Sequence, residues 1–235
     1  MKLLYTSREL IKGYAKLALV VAIFYLYFKY PFYKYLHFTW SIFLWWGGLL
    51  VLTAIFGQIT RNINNRQRGR DAEEDVEEKL EELPNDFKIL SNLVIGKNKG
   101  NVDEVVVGPT GIWVIEVKSQ FGNITFNGSQ FVRDGKLLEG DFLKQVWAEH
   151  YAVSGAVEES LKRKFKVQPV IVFSDPNATV KFGFKKIEGV YVIGRRWLNR
   201  LVQNNVIEHL DNKTIDMIKS SLDKYRENND GVGIH

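Results

Sequence analysis

Two uncharged runs stand near the start of the chain. The run from Phe38 to Thr60 has 23 consecutive residues without a charge, and at a helical rise of 1.5 Å per residue it measures roughly 34 Å. This length matches a hydrocarbon core of about 30 Å and predicts a membrane span over residues 38–60. The earlier run, residues 17–28, spans only if the flanking lysines reach the interface, which predicts a span over residues 13–30. Residues 1–61 are therefore predicted to form a transmembrane hairpin that contacts the lipid bilayer through residues 13–60.

The pattern changes after a polar segment, residues 62–69, which we predict to be a linker. Apolar residues then recur at helical spacing from Ala72 to Leu83, until Pro84 ends the helix. Short β-branched runs bounded by turn residues follow. The predicted strands are residues 87–94, 101–107, 112–118, 167–173 and 190–193. The later predicted helices are residues 141–161, 195–204 and 211–225, the last with Asp211 as its N-cap.

This order of elements predicts one α/β domain over residues 70–226, with a mixed sheet flanked by helices. Two of the predicted strands, 167–173 and 190–193, are bounded apolar runs typical of the inside of a sheet. Turn dipeptides after the third strand predict a second hairpin-like region: Gly122-Asn123, Asn127-Gly128 and Asp134-Gly135. Residues 227–235 are predicted to be a mobile tail.

The charge of the chain is unevenly distributed. Residues 1–61 carry seven basic groups and one acidic group, whereas residues 62–235 carry 25 basic and 26 acidic groups. Basic residues flank the outer ends of both predicted spans, so the positive-inside rule predicts that the soluble domain lies in the cytoplasm. The domain itself has no basic surplus of the kind that nonspecific nucleic-acid binding draws on. The absence of cysteine excludes a disulfide scaffold, a thiolate metal site and a cysteine nucleophile.

Two acids and a lysine come together in the hairpin predicted for the second and third strands. If Val107 faces Ile112 across a four-residue turn, Asp103 lies directly across from Glu116. Side chains alternate along a strand, so Lys118 shares the face of Glu116. Two carboxylates this close repel each other unless a hard divalent cation such as Mg²⁺ or Mn²⁺ lies between them. Such a patch can activate water beside a phosphate, although a solvated strand end is the simpler alternative for Glu116 and Lys118.

Further residues fit the same pattern in chain order. The elements are Glu73 before Val76, Asp103 before a run of valines, Gly111-Ile112-Trp113-Val114-Ile115-Glu116-Val117-Lys118 followed by Gly122, Gln145 with His150 after it, and Val170-Ile171-Val172-Phe173. With these elements, residues 72–173 resemble the nuclease-related domain, NERD, a branch of the PD-(D/E)xK restriction-endonuclease-like superfamily. Two positions depart from the family pattern. Ala72 replaces the usual glycine, and Asp141-Phe142 stands where Asn-Pro is expected.

The resemblance implies a restriction-endonuclease-like fold and a metal-dependent phosphodiesterase. It implies that Asp103 and Glu116 are metal ligands and that Lys118 positions or activates the attacking water. It further implies that Glu73 supplies another acid and Gln145 an active-site polar group. Neither departure changes an implied metal ligand.

Two functions from different classes are consistent with these patterns. The first is a membrane-anchored, cytoplasm-facing, Mg²⁺-dependent nuclease that acts on DNA or RNA. The second is a catalytically inactive nucleic-acid-binding or regulatory module tethered to the membrane. Three basic clusters could contact phosphates or simply be charged surface: Lys162, Arg163, Lys164 and Lys166; Lys181, Lys185 and Lys186; and Arg195, Arg196 and Arg200. For His150 we favour a packing or surface role over catalysis.

Overall fold

The computed structural model describes residues 38–96 and 101–226, together with residues 12, 14–16, 18–23, 25–26 and 29. The loop between the two predicted spans and the predicted tail, residues 227–235, lie outside the described residues, as does part of the predicted span 13–30. The chain divides into two compact units, Met1–Arg68 and Gly69–His235. The unit boundary therefore falls inside the segment predicted to be a linker.

The first described element of the fold is helix α1 (Phe38–Glu81), which ends in the second unit. It includes residues 62–69, which lack proline and are helical rather than irregular. Among the described residues, no helix combines the length and the apolar character that crossing a membrane requires. The predicted spans are thus unsupported there.

The second unit is built on a six-stranded mixed sheet with the order β1-β2-β3-β7-β10-β9. Its strands are β1 (Lys88–Leu93), β2 (Val102–Gly108), β3 (Gly111–Lys118), β7 (Val167–Phe173), β9 (Lys186–Ile187) and β10 (Val190–Gly194). A smaller sheet has the order β6-β5-β4-β8. Its strands are β4 (Gly122–Phe126), β5 (Phe131–Arg133), β6 (Lys136–Leu137) and β8 (Ala178–Val180). Mixed α/β architecture is therefore confirmed.

The hairpin register predicted for β2 and β3 is confirmed. Val107 pairs with Ile112, and the antiparallel ladder continues to Glu104 opposite Ile115. On the other side of β3, strands β7 and β10 both run parallel to it. Lys118 pairs with Phe173, which pairs in turn with Gly194. The carboxyl ends of three parallel strands therefore lie in one row at one edge of the sheet.

Helices cover both faces of this sheet. On one face, Val105 and Val114 belong to a buried cluster with residues of α2 (Phe142–Leu161) and α4 (Asn212–Asp223). On the other face, Trp113 belongs to a buried cluster with residues of α1 and of α3 (Leu198–Asn204). The valine run of β2 is therefore buried on both faces. A 3-10 turn, Arg195–Trp197, leads from β10 into α3.

Local sequence signals account for several boundaries. Asp211 caps α4 as predicted, since its carboxylate accepts a hydrogen bond from the Thr214 amide at 2.7 Å. Asp134 and Gly135 form a turn with positive φ angles, also as predicted. The predicted turn at Gly122-Asn123 is wrong, because Gly122 begins strand β4. Gly122 has a φ angle of 89°, which other residues rarely adopt, and a Cβ atom there would lie 2.3 Å from an Asp134 carboxylate oxygen, so glycine is required at this position.

Candidate active site

Glu116 and Lys118 lie on one face at the carboxyl end of β3. The Lys118 ammonium donates hydrogen bonds to Glu116 Oε1 and, at 3.0 Å, to Gln145 Oε1. The Gln145 amide nitrogen donates to the same Glu116 oxygen at 2.8 Å. Glu116 is only 2% exposed, although it stands at the strand end. The simple picture of a solvated strand exit is therefore wrong for Glu116.

Asp103 lies at the start of β2, across from the end of β3. The backbone ladder between β2 and β3 extends to Glu104. Beyond it, Asp103 Oδ2 accepts a hydrogen bond from the Val117 backbone amide at 2.9 Å. The carboxylate thus takes the place of a backbone acceptor at the open end of the hairpin. The charge of Glu116 acts on Asp103 strongly enough to raise its pKa, which indicates that the two carboxyl groups are close.

Glu149 is a member of this group that the sequence analysis missed. It lies one helical turn after Gln145 in α2, and its Oε1 atom accepts a hydrogen bond from the Gln145 amide at 3.2 Å. Glu149 is 6% exposed and stands among apolar positions of α2 such as Val146 and Val153. The available signal was an acid at a helix position whose spacing predicts burial.

Glu73 joins the group from a different element. It is half-buried on α1, and its negative charge contributes to the raised pKa of Asp103. All five residues named by the resemblance therefore meet at one edge of the sheet: Glu73, Asp103, Glu116, Lys118 and Gln145. They come from α1, β2, β3 and α2, which are distant along the chain.

Two acids of this site, Asp103 and Glu149, have pKa values raised well above the ordinary range. Burial raises the pKa of Asp103 to about 8, with the charges of Glu116 and Glu73 adding to the effect and the Val117 hydrogen bond opposing it. Burial also raises the pKa of Glu149 to about 10, and a hydrogen bond to Glu116 adds to the effect. Two carboxyl groups can share a hydrogen bond only when one is protonated. The raised pKa places that proton on Glu149.

The donor set fits a hard divalent cation. Buried Oε2 atoms of Glu116 and Glu149 accept no hydrogen bond from any described N–H or O–H group. The group has an excess of carboxylate oxygen over positive charge, and such oxygens are the ligands that Mg²⁺ and Mn²⁺ prefer. Within residues 38–96 and 101–226, no three His, Asp or Glu side chains already form a cluster able to hold a metal ion. Mg²⁺ commonly binds through one or two carboxylates and keeps several waters.

Phe142, the first residue of α2, packs against Lys118. The Lys118 ammonium lies 4.5 Å from the centroid of the Phe142 ring, which attracts the cation through its face. Asp141 caps the same helix and accepts a hydrogen bond from the Lys144 amide at 3.0 Å. Asp141 and Phe142 depart from the family pattern. Asp141 caps the start of α2, and Phe142 packs against Lys118.

His150 lies outside this group. Its ring packs edge-on against Trp147 and Tyr151, with centroid separations of 4.9 Å and 5.0 Å. Half-burial lowers the pKa of His150, so the ring is neutral at neutral pH. These contacts agree with the predicted packing role.

The fold and the site define a class of protein. It is a mixed α/β domain in which acids, a lysine and a glutamine amide lie at the carboxyl ends of parallel strands. The family model described as the nuclease-related domain, NERD, matches residues 68–174. A nuclease-related domain is therefore found at these residues, and the wider PD-(D/E)xK superfamily is consistent with it. It suggests a nuclease-like function and implies nucleic-acid binding. No curated protein and no solved structure matches the chain.

Proposed function

We propose that the second unit is a divalent-metal-dependent nuclease that hydrolyses phosphodiester bonds in DNA or RNA. The observation that carries this proposal is the buried, unpartnered Oε2 atom of Glu116 in a group of acids that contains a single lysine. A buried carboxylate oxygen without a hydrogen-bond donor costs stability unless a ligand compensates it. A cation on Asp103 and Glu116 would provide this compensation.

Asp103 and Glu116 are the residues that would hold Mg²⁺ or Mn²⁺. A bound ion of this kind neutralises charge on the phosphate and lowers the pKa of a nearby water. Glu73 adds negative charge around the same position, and Glu149 would add more once a bound cation displaces its proton. Glu149 is protonated at neutral pH without an ion, so binding of a cation is expected to release protons.

Lys118 and Gln145 act on the substrate side of this arrangement. The Lys118 ammonium supplies a fixed positive charge beside the phosphate and positions the attacking water. Gln145 holds that ammonium through its amide oxygen while its nitrogen binds Glu116. Hydrolysis adds the hydroxyl of water to phosphorus, breaks one P–O ester bond and leaves a proton on the departing oxygen. Preorganised charge at Lys118 stabilises the negative charge that develops during this step.

The cellular location is a separate proposal that rests on the sequence alone. Basic residues on the outer sides of the two uncharged runs favour a two-pass membrane protein whose nuclease domain faces the cytoplasm. Cysteines introduced singly at Tyr33 and Asn229 should then react with an impermeant thiol reagent from opposite sides of the membrane. Reaction of both from the same side would exclude this topology.

The catalytic proposal is tested on the full chain with labelled single-stranded DNA, duplex DNA and RNA. We expect cleavage with Mg²⁺ or Mn²⁺, no cleavage with excess chelator, and metal binding detectable by calorimetry. Lys219 and Asp223 form a matched carboxylate–ammonium pair on α4, with 2.6 Å between Nζ and Oδ2. Lys219→Ala and Asp223→Asn therefore serve as controls that should leave cleavage unchanged.

A different result would favour the second function. Wild-type protein that binds nucleic acid but neither binds a divalent ion nor cuts any substrate would be a binding or regulatory module. The nearly balanced charge of residues 62–235 favours a regulatory role over nonspecific nucleic-acid binding in such a module.

A further inference from the structure

An aromatic and basic surface lies outside the proposed active site. We call it the Trp197 patch, and it consists of Phe184, Trp197, Arg196, Arg200 and Lys181. Phe184 is 39% and Trp197 37% exposed, which is unusual for large aromatic side chains. Their rings meet edge to face with centroids 6.3 Å apart and planes at 88°. The patch therefore presents aromatic surface to solvent rather than to the core.

A small cavity opens within this patch. Its volume is about 220 Å³, and it is lined by Val180, Gly183, Phe184, Ile193, Trp197 and Arg200. Pockets that enclose drug-sized ligands measure roughly 300–1,000 Å³, so this one admits a single planar ring rather than a whole nucleotide. Aromatic and aliphatic walls with one cation at the rim suit a nucleobase.

The two arginines beside the Trp197 ring have no acidic partners within residues 38–96 and 101–226. The guanidinium carbons of Arg196 and Arg200 lie 5.4 Å and 5.6 Å from the centroid of the Trp197 ring. Neither arginine forms an ion pair with a described residue, whereas the neighbouring Arg195 pairs with Asp75 at 3.0 Å. Lys181 is exposed nearby in sequence. An anionic backbone carrying a flat ring matches this combination of charge and aromatic surface.

The patch lies at the same edge of the sheet as the proposed active site. Lys118 ends β3, Phe173 beside it ends β7, and Gly194 beside Phe173 ends β10. The turn Arg195–Trp197 follows directly from Gly194. Neighbouring strands are about 4.8 Å apart, so this turn begins about 10 Å from the strand of Lys118. The cavity lies on the face covered by α1 and α3, because its lining residue Ile193 belongs to the buried cluster of those helices. Lys118 lies on the α2 face beside Phe173, so a bound strand would pass over this edge of the sheet.

We propose that the cavity beside Trp197 binds one unpaired base of a single-stranded nucleic acid whose backbone continues to the site of Glu116 and Lys118. This inference rests on the proposed nuclease function and specifies its substrate as single-stranded. Bases in a duplex are stacked and paired, so their faces are not available to the indole without unstacking. Stacking is tolerant of sequence, because every base has an aromatic face. The site therefore selects strandedness rather than sequence.

The test measures binding by the full chain in excess chelator, so that cleavage does not interfere. Fluorescently labelled single-stranded DNA and RNA oligonucleotides are compared with the same sequences annealed as duplexes. We expect tighter binding of the single strands. Trp197→Ala should weaken single-strand binding about tenfold, whereas Trp197→Phe should retain most of it, because a phenyl ring still stacks. Arg200→Ala should weaken binding and reduce its dependence on salt concentration.

Arg163 provides the matched control. Its guanidinium lies 4.6 Å from the Phe165 ring centroid, which makes it a second arginine over an aromatic ring. Phe165 precedes β7, whose first residue, Val167, pairs with Ile112 near the start of β3. This pair therefore lies at the opposite edge of the sheet. Arg163→Ala should leave single-strand binding unchanged, and thermal unfolding checks that every variant is folded.

Each other outcome has a distinct meaning. Equal single-strand affinity of wild type, Trp197→Ala and Arg200→Ala would overturn the base-binding cavity while leaving the nuclease proposal intact. Preference of the wild type for duplex would overturn it in the same way. A wild type that binds no nucleic acid in any form would overturn the proposed function together with this inference.

Discussion

Buried polar groups at the two edges of the six-stranded sheet differ in their hydrogen-bond partners. At the edge where β3 begins, the buried Thr110 hydroxyl donates to the Val202 carbonyl at 2.7 Å and accepts from the Trp113 indole at 3.2 Å. The Thr110 carbonyl accepts from the Ile207 amide. At the edge where β3 ends, buried oxygens of Glu116 and Glu149 lack such donors.

This difference distinguishes polar groups that stabilise the fold from polar groups that belong to a functional site. Satisfied groups at the first edge stabilise the fold, because a buried hydroxyl with both partners present costs little. At the second edge, Asp103 and Glu149 are buried close to other acids, and this raises their pKa values. Burying ionisable acids in this way lowers the stability of the metal-free protein. A cluster of buried acids that costs stability and includes strongly raised pKa values is typical of a functional site.

The largest expected effect is loss of cleavage from substitutions at the second edge alone. Asp103→Asn and Glu116→Gln remove negative charge that a cation requires, and Lys118→Ala removes positive charge beside the phosphate. Each should lower cleavage about a hundredfold or more, which is at least about 3 kcal/mol of transition-state stabilisation. Calorimetry should detect metal binding in Lys118→Ala but not in the two acid variants. Unchanged cleavage in all three would remove the functional distinction between the edges.

The next effect is a dependence of stability on pH that originates at the second edge. Between its ordinary pKa of 3.8 and about 8, Asp103 is protonated when folded and ionised when unfolded. Glu149 behaves in the same way up to about pH 10. The folded state then binds more protons, so stability falls as pH rises. Chemical denaturation in chelator should show a loss of about 4 kcal/mol between pH 7 and pH 9 if both groups contribute.

Two comparisons sharpen this pH prediction. Glu149→Gln cannot ionise, so it should show a smaller loss over the same pH range, whereas the surface variant Asp223→Asn should match the wild type. Saturating Mg²⁺ should also reduce the loss, because a cation then compensates the ionised acids. A wild-type stability that rises between pH 7 and pH 9 would contradict the assignment of protons to these carboxyl groups.

A smaller effect is expected at the first edge. Thr110→Val removes a buried hydroxyl and leaves the Val202 carbonyl and the Trp113 indole N–H without their partner. Denaturant unfolding should show a loss of about 1–2 kcal/mol, while cleavage per folded molecule stays at the wild-type level. Loss of cleavage without loss of stability would contradict a purely structural role for this edge.

The smallest effect concerns the start of α2, which carries Gln145 and Glu149 to the site. Asp141→Ala removes the side-chain acceptor for the Lys144 amide and should cost about 1 kcal/mol in thermal or chemical unfolding. Asp141→Asn keeps an acceptor and should cost less. Equal stability of both variants and the wild type would show that the cap contributes nothing.

Features set by neighbouring residues could be predicted from the sequence. The register of β2 and β3 follows from a short turn, and alternation along β3 places Lys118 beside Glu116. The helix cap at Asp211 is equally local. These predictions needed no knowledge of the rest of the chain.

Features set by distant contacts could not be predicted in this way. Glu149 enters the site because α2 packs over the end of β3, and Gly122 joins a strand because β8, some 55 residues later, pairs with it. The role of Trp197 depends on a strand order that no local pattern reveals.

The aligned ends of β3, β7 and β10 would set where a bound strand is cut. The distance between Lys118 and Gly194, from which the turn to Trp197 starts, is fixed by two strand-to-strand steps held by backbone hydrogen bonds. Side-chain substitutions leave this spacing unchanged. Products should consequently end a constant number of nucleotides from the held base, whatever the sequence. Substitutions that change which base the cavity prefers would change which strands are cut. The number of nucleotides between the bound base and the cut would stay the same.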